Sequence, residues 1–83
     1  MSIISNTYQG AVTVTPSDTV NLIFKNGTPY GKAVYVGGTG DISALMADGT
    51  TAIFKAVPVG TIYIGVQRIN ATGTTATNLV ALY

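Results

Sequence analysis

The sequence predicts an all-β domain, a small antiparallel β-sandwich or barrel of six to seven strands. Two observations predict it. From Thr50 to Arg68 the chain reads TTAIFKAVPVGTIYIGVQR, in which β-branched and aromatic residues alternate with a period of two. Turn-forming pairs and clusters of Gly, Pro, Asn, Asp and Ser also recur at short intervals, as in an all-β fold.

The elements follow in order. Residues 1–10, MSIISNTYQG, form a polar N-terminal arm carrying Ile3, Ile4 and Tyr8, and residues 11–83 form a single β domain. Ala11 to Thr15 is a short strand with Val12 and Val14 on one face; Pro16 stops it, and Ser17, Asp18 and Thr19 make a turn that caps backbone amides. The apolar run Val20 to Phe24 ends at Asn26-Gly27, a tight-turn dipeptide whose residues both accept positive φ. Lys32 to Val36 is apolar on both faces, as in the middle of a sandwich or barrel, and Gly37 to Gly40 reads as a turn. Asp41 to Ala47 contains Ala, Leu and Met, which favour helix, but the closeness of Asp48-Gly49 argues for a strand entering a hairpin with Thr50 to Ala56. Pro58 and Gly60 break the next turn, and Thr61 to Asn70 continues as one long strand paired with the one before it. A polar loop, ATGTTAT, then leads to Asn78 to Tyr83, an alternating strand that must pair with a sheet or a neighbour to cover its apolar residues.

At 83 residues the chain is one domain at most, small enough that a partner or staple is the usual source of extra stability. It has no Cys and no His, which excludes disulfides and the usual zinc sites, so self-association is the remaining common route. Charged residues make up 8% of the chain against about 25% in soluble domains. With 47% apolar residues and a mean hydropathy of +0.43, that composition points to a surface covered by other subunits. The four dispersed cations Lys25, Lys32, Lys55 and Arg68 argue against nucleic-acid binding. No apolar run suits a membrane helix, and residues 1–10 do not read as a secretory signal.

The chemistry available is thin. Asp18, Asp41 and Asp48 are the only acidic residues, all in predicted turns, where capping explains them better than catalysis or calcium binding. Gly37-Gly38-Thr39-Gly40 lacks the Lys-Ser/Thr and helix of a phosphate loop. Asn26-Gly27-Thr28 and Asn70-Ala71-Thr72 match the N-glycosylation sequon by accident. The sequence therefore predicts no enzyme, no cofactor and no metal. The five Tyr residues open an alternative, a carbohydrate-binding module, although no Trp and few amide or acidic partners stand beside them.

Several stretches resemble a group of small tailed-bacteriophage virion proteins, among them the head-spike base proteins of gene-transfer-agent particles and their phage relatives. They are Val14-Thr15-Pro16-Ser17-Asp18-Thr19, Tyr35 to Ile42 (YVGGTGDI), Phe54 to Gly60 (FKAVPVG) and, most specifically, Arg68 to Tyr83 (RINATGTTATNLVALY). The resemblance spans about Ala11 to Tyr83 in the same order. Val20 to Gly31, with the apolar Leu22-Ile23-Phe24, departs from it as an insertion and puts the position on the particle in doubt.

The resemblance implies a non-enzymatic structural protein on the capsid surface of a virion, assembled in the host bacterial cytoplasm. It implies a capsid decoration (cement) or head-spike base subunit whose partners are identical copies, the major capsid protein and a spike or fibre protein. Sheet edges and apolar faces would be buried between copies. The interface candidates are Ile3, Ile4, Tyr8, Leu22, Ile23, Phe24 and Tyr83; the alternative remains a carbohydrate-binding module of a tail or fibre.

Overall fold

The computed structural model describes residues 8–25 and 27–83. Among them lie seven strands: β1 (Ala11–Thr13), β2 (Ala33–Gly38), β3 (Gly40–Met46), β4 (Thr51–Val57), β5 (Gly60–Ile62), β6 (Val66–Ile69) and β7 (Thr77–Leu82). They form two antiparallel sheets, one ordered β1-β7-β2-β5 and the other β4-β3-β6. The predicted sandwich is therefore the fold. We call the sheets A and B.

The alternation of the sequence explains the core. Val34 and Val36 of β2 and Leu79 and Ala81 of β7 turn inward from sheet A, and Ile42 and Ala44 of β3 with Val66 and Ile69 of β6 turn inward from sheet B. Val14, Phe24, Val57, Ala76 and Tyr83 join the same cluster. Each buried Val, Leu or Ile among them contributes about 1.5–3 kcal/mol by leaving water. Ser43 is the one buried polar side chain among the described residues, and it is satisfied: the Asn70 amide donates to its hydroxyl at 3.2 Å.

The hairpin expected at Asp48-Gly49 joins β3 to β4. Gly49 takes the positive φ of +90° that the turn requires, Met46 N–H donates to Thr50 O at 2.7 Å, and the Asp48 carboxylate accepts both Thr50 N–H and its hydroxyl. Residues 41–46 are strand despite their helix-favouring composition, because Ile42 and Ala44 pack inward while Ser43 faces the opposite side.

Three expectations are corrected. Thr50–Ala56 and the strand after Pro58 do not pair: β4 lies in sheet B and β5 in sheet A, so the Pro-Gly stretch turns a corner between layers. The single strand expected over 61–70 is two strands. β5 pairs with β2 and β6 with β3, and Tyr63–Gly65 carries the chain across. Gly37-Gly38 is strand rather than turn, with only Thr39 separating β2 from β3. There the glycines serve close approach, since a Cβ on Gly40 would strike the backbone of Thr75 and Ala76.

Candidate assembly surface

The three aspartates do structural work. Asp18 accepts from Thr72 N–H (2.9 Å) and Thr72 hydroxyl (2.7 Å), which ties the segment after β1 to the loop before β7. Asp41 accepts Ala56 N–H at 2.9 Å and meets the Lys55 ammonium at 3.4 Å, at the bulge where β4 carries one residue more than β3. All three carboxyls are held below the ordinary range: Asp18 chiefly by Thr72, Asp41 by Ala56 N–H and then Lys55, Asp48 by Thr50. Among the described residues no three His, Cys, Asp or Glu side chains gather as a metal site would need.

What the structure offers instead is apolar surface. Residues 20–25 run beside the outer side of β6 with side chains alternating: Leu22 is half-buried against the core, Ile23 is 81% exposed and Phe24 is buried. Leu22 N–H donates to the main-chain carbonyl of Gln67, which ties this segment to β6 of sheet B, and the Gln67 side-chain amide donates to Met46 O and Ala47 O at the irregularity between β3 and β6. Phe24 meets the Tyr83 ring edge-on with centroids 5.1 Å apart, and Lys25 N–H donates to the Tyr83 hydroxyl. Behind that ring, Gln9 N–H and Gly10 N–H both donate to Tyr83 O.

The outer side of sheet A is the second apolar area. Strand register sets Thr13, Val80, Tyr35 and Thr61 in one row and Ala11 and Leu82 in the next, beside a fully buried Ala33, with no charged residue in either. Tyr35 stands between inward-facing Val34 and Val36 and is exposed; Tyr63, one residue beyond β5, is more so. Burial, with Tyr63 as its neighbour, raises the Tyr8 phenol above its ordinary value.

The predicted interface residues fall into different places. Ile3 and Ile4 lie outside the described residues. Tyr8 and Leu22 are half-buried, Ile23 projects into solvent, and Phe24 and Tyr83 spend their rings on the subunit's own core. Phe24 and Tyr83 thus hold segment 20–31 in place, and the surface they support is presented by Ile23 and Val20. Sequence reasoning passed over Tyr35, Ile53, Val59 and Tyr63 as exposed apolar residues. The alternation around Tyr35 and Ile53 carried that signal.

No known family model matches the sequence, and no curated protein matches it. Among solved structures, a chain from the capsid of a native GTA particle, computed with C5 symmetry, is similar over 98% of this chain and 92% of that one, with 24% identity and a TM-score of 0.76. That likeness establishes a shared fold across the whole domain.

Proposed function

We propose that this protein is a structural subunit of a phage-like virion, a capsid decoration or head-spike base protein that assembles on the capsid as a homo-oligomer. The observation that carries the reading is the shared fold with a GTA capsid chain over 98% of the length. The composition supports it, since 8% charged residues suit a surface covered by neighbours. So do the exposed Ile23 and the uncharged rows on the outer side of sheet A. On this reading the subunit contacts copies of itself and the major capsid protein, and presents a spike or fibre. Its side chains provide shape and burial rather than catalysis. Ile3, Ile4, Tyr8, Leu22 and Ile23 contribute contact from the arm and segment 20–31, with Phe24 and Tyr83 bracing that segment from within. Light scattering of the pure chain at micromolar concentration tests the proposal: a higher-order oligomer supports it and a stable monomer overturns it.

Exposed Tyr35 and Tyr63 at sheet A favour a second reading, a glycan-binding face of a tail or fibre. Titration with host surface glycans separates the two. Saturable binding lost in Tyr35→Ala and Tyr63→Ala, from a chain that stays monomeric, would favour the second.

A further inference from the structure

Asp41 ties three segments together at the start of β3. Its N–H donates to the Thr75 hydroxyl at 2.8 Å, and its carbonyl accepts Thr75 N–H at 2.8 Å and Ala76 N–H at 3.1 Å. Its carboxylate reaches the other way, accepting Ala56 N–H and meeting the Lys55 ammonium. The backbone of Asp41 is thus fixed to the loop before β7, and its side chain alone is committed to the bulge in β4.

That bulge sets the phase of the strand. Between the pairs Ile42–Phe54 and Gly40–Val57, β3 supplies Asp41 while β4 supplies both Lys55 and Ala56. Ala52 and Phe54 are half-buried, and strict alternation would bring Ala56 inward after them. Instead Ala56 is exposed and Val57 enters the core, at 6% exposure. Removing the bulge would set Ala56 opposite Gly40 and turn Val57 to the exposed side with Ile53 and Lys55. The two registers trade opposing terms. The bulged one buries the larger side chain but holds Ala56 at φ +51°, a conformation that favours glycine. The straight one relieves the backbone and buries a methyl group in place of an isopropyl.

We propose that Asp41 and this bulge form an acid-operated register switch: the charged carboxylate keeps β4 bulged with Val57 in the core, and the neutral acid lets β4 straighten and turn Val57 out. The switch acts within one subunit and stands apart from the assembly reading. A hydrogen bond to a carboxylate is roughly twice as strong as one to a neutral group, and protonation also ends the attraction to Lys55. Lys55 is the charged group that β4 sets against Asp41, and the loop over residues 71–76 has none. Asp18 binds that loop at Thr72, and Arg68 of β6 is bonded to Asn21 and Asn70. Ala56 N–H is the chief cause, before Lys55, of the low pKa of the Asp41 carboxyl, as linkage requires of a group whose charged form favours the bulge. The bulge is therefore kept at neutral pH and released as pH falls below about 4.

Cross-strand NOEs read the register directly, with Gly40 beside Val57 in the bulged form and beside Ala56 in the straight one. Asp41→Asn neutralises the group at neutral pH, where Asp18 and Asp48 stay charged. It is expected to raise the ratio of Gly40–Ala56 to Gly40–Val57 contacts by about tenfold or more, with the contacts between β2 and β7 unchanged. The parent chain should show the same change below about pH 4. Ala56→Gly, added to Asp41→Asn, is expected to bring the Gly40–Val57 contact back, because glycine takes the positive φ without cost. An Asp41→Asn chain that keeps Gly40 beside Val57 at neutral pH overturns the switch, whatever acid does to the parent. Loss of both contacts overturns it too, since β4 would then fray rather than change register.

Discussion

Asp18 and Thr72, 54 residues apart in the chain, are joined by two hydrogen bonds through a single carboxylate. The clasp holds the segment that follows β1 against the loop that precedes β7. Beside it, Ser17 N–H donates to Ile69 O, and the Ser17 hydroxyl accepts from Thr19 and Val20 N–H. Asp18→Ala is expected to lower the thermal midpoint and to speed hydrogen exchange at Ser17 and Thr72 while leaving the β3–β4 hairpin protected. Unchanged exchange at Ser17 would show that the clasp does not hold the segment.

Acid should loosen the domain. A carboxyl whose folded pKa is depressed contributes stability above its unfolded value, and that contribution is lost as pH falls through the folded value. Asp18, Asp41 and Asp48 are all depressed, so stability is expected to be level from about pH 5 upward and to fall below about pH 4. Tyr8 has the opposite sign. Its raised phenol favours the folded state at low pH, and that contribution fades only above about pH 10. Thermal midpoints across pH 2–11, repeated with Asp18→Asn, Asp41→Asn and Asp48→Asn, check both limbs; the acid limb should shrink in each variant.

Ala56 sits at φ +51°, in the left-handed region that costs a residue with a Cβ about 1–2 kcal/mol. Ala56→Gly removes that cost while making the unfolded chain more flexible, for a net gain of about 0.5–1 kcal/mol. Chemical denaturation should show the higher midpoint at an unchanged slope.

Adjacent residues 23 and 24 should separate stability from assembly. Phe24→Ala empties a core position and is expected to cost about 3–5 kcal/mol. Ile23→Ser, at 81% exposure, should change subunit stability by less than about 0.5 kcal/mol and yet weaken the oligomer. Denaturation and light scattering on the same two variants read these effects independently.

Gly40→Ala is expected to destabilise by about 1–3 kcal/mol. The atoms its Cβ would meet belong to the backbone of Thr75 and Ala76, which cannot rotate aside. A variant as stable as the parent would mean that the loop before β7 shifts freely.

Local rules carried the reading of strands and turns; tertiary ones carried what it missed. Asp48-Gly49 announced its hairpin because the turn's requirement for positive φ is written in two adjacent residues. The crossing at Tyr63–Gly65 left no such mark: Ile62, Ile64 and Val66 continue one alternation through it, since both halves point their apolar residues into the same core from opposite sheets. Gly37-Gly38 looked like a turn because its need for glycine comes from Asn78 and Thr77 against it, and those are distant in sequence. Of the candidate surface, the apolar run 22–24 was legible as a group. Its division into braces and a projecting Ile23 depends on Tyr83, nearly sixty residues away. The partner of Asp18 was invisible for the same reason.

The place of β7 between β1 and β2 has a consequence for how the domain is made. As the chain leaves the ribosome, the β3–β4 hairpin can close on its own, but β1 waits through more than sixty residues for its partner and β2 for about forty. Sheet A therefore zips up only once residues 77–82 are out, and until then Val12, Val34 and Val36 are available to wrong partners. Such late, long-range pairing is slow and aggregation-prone. Synthesis rate and chaperone supply, more than final stability, should then govern how much of this protein is recovered folded.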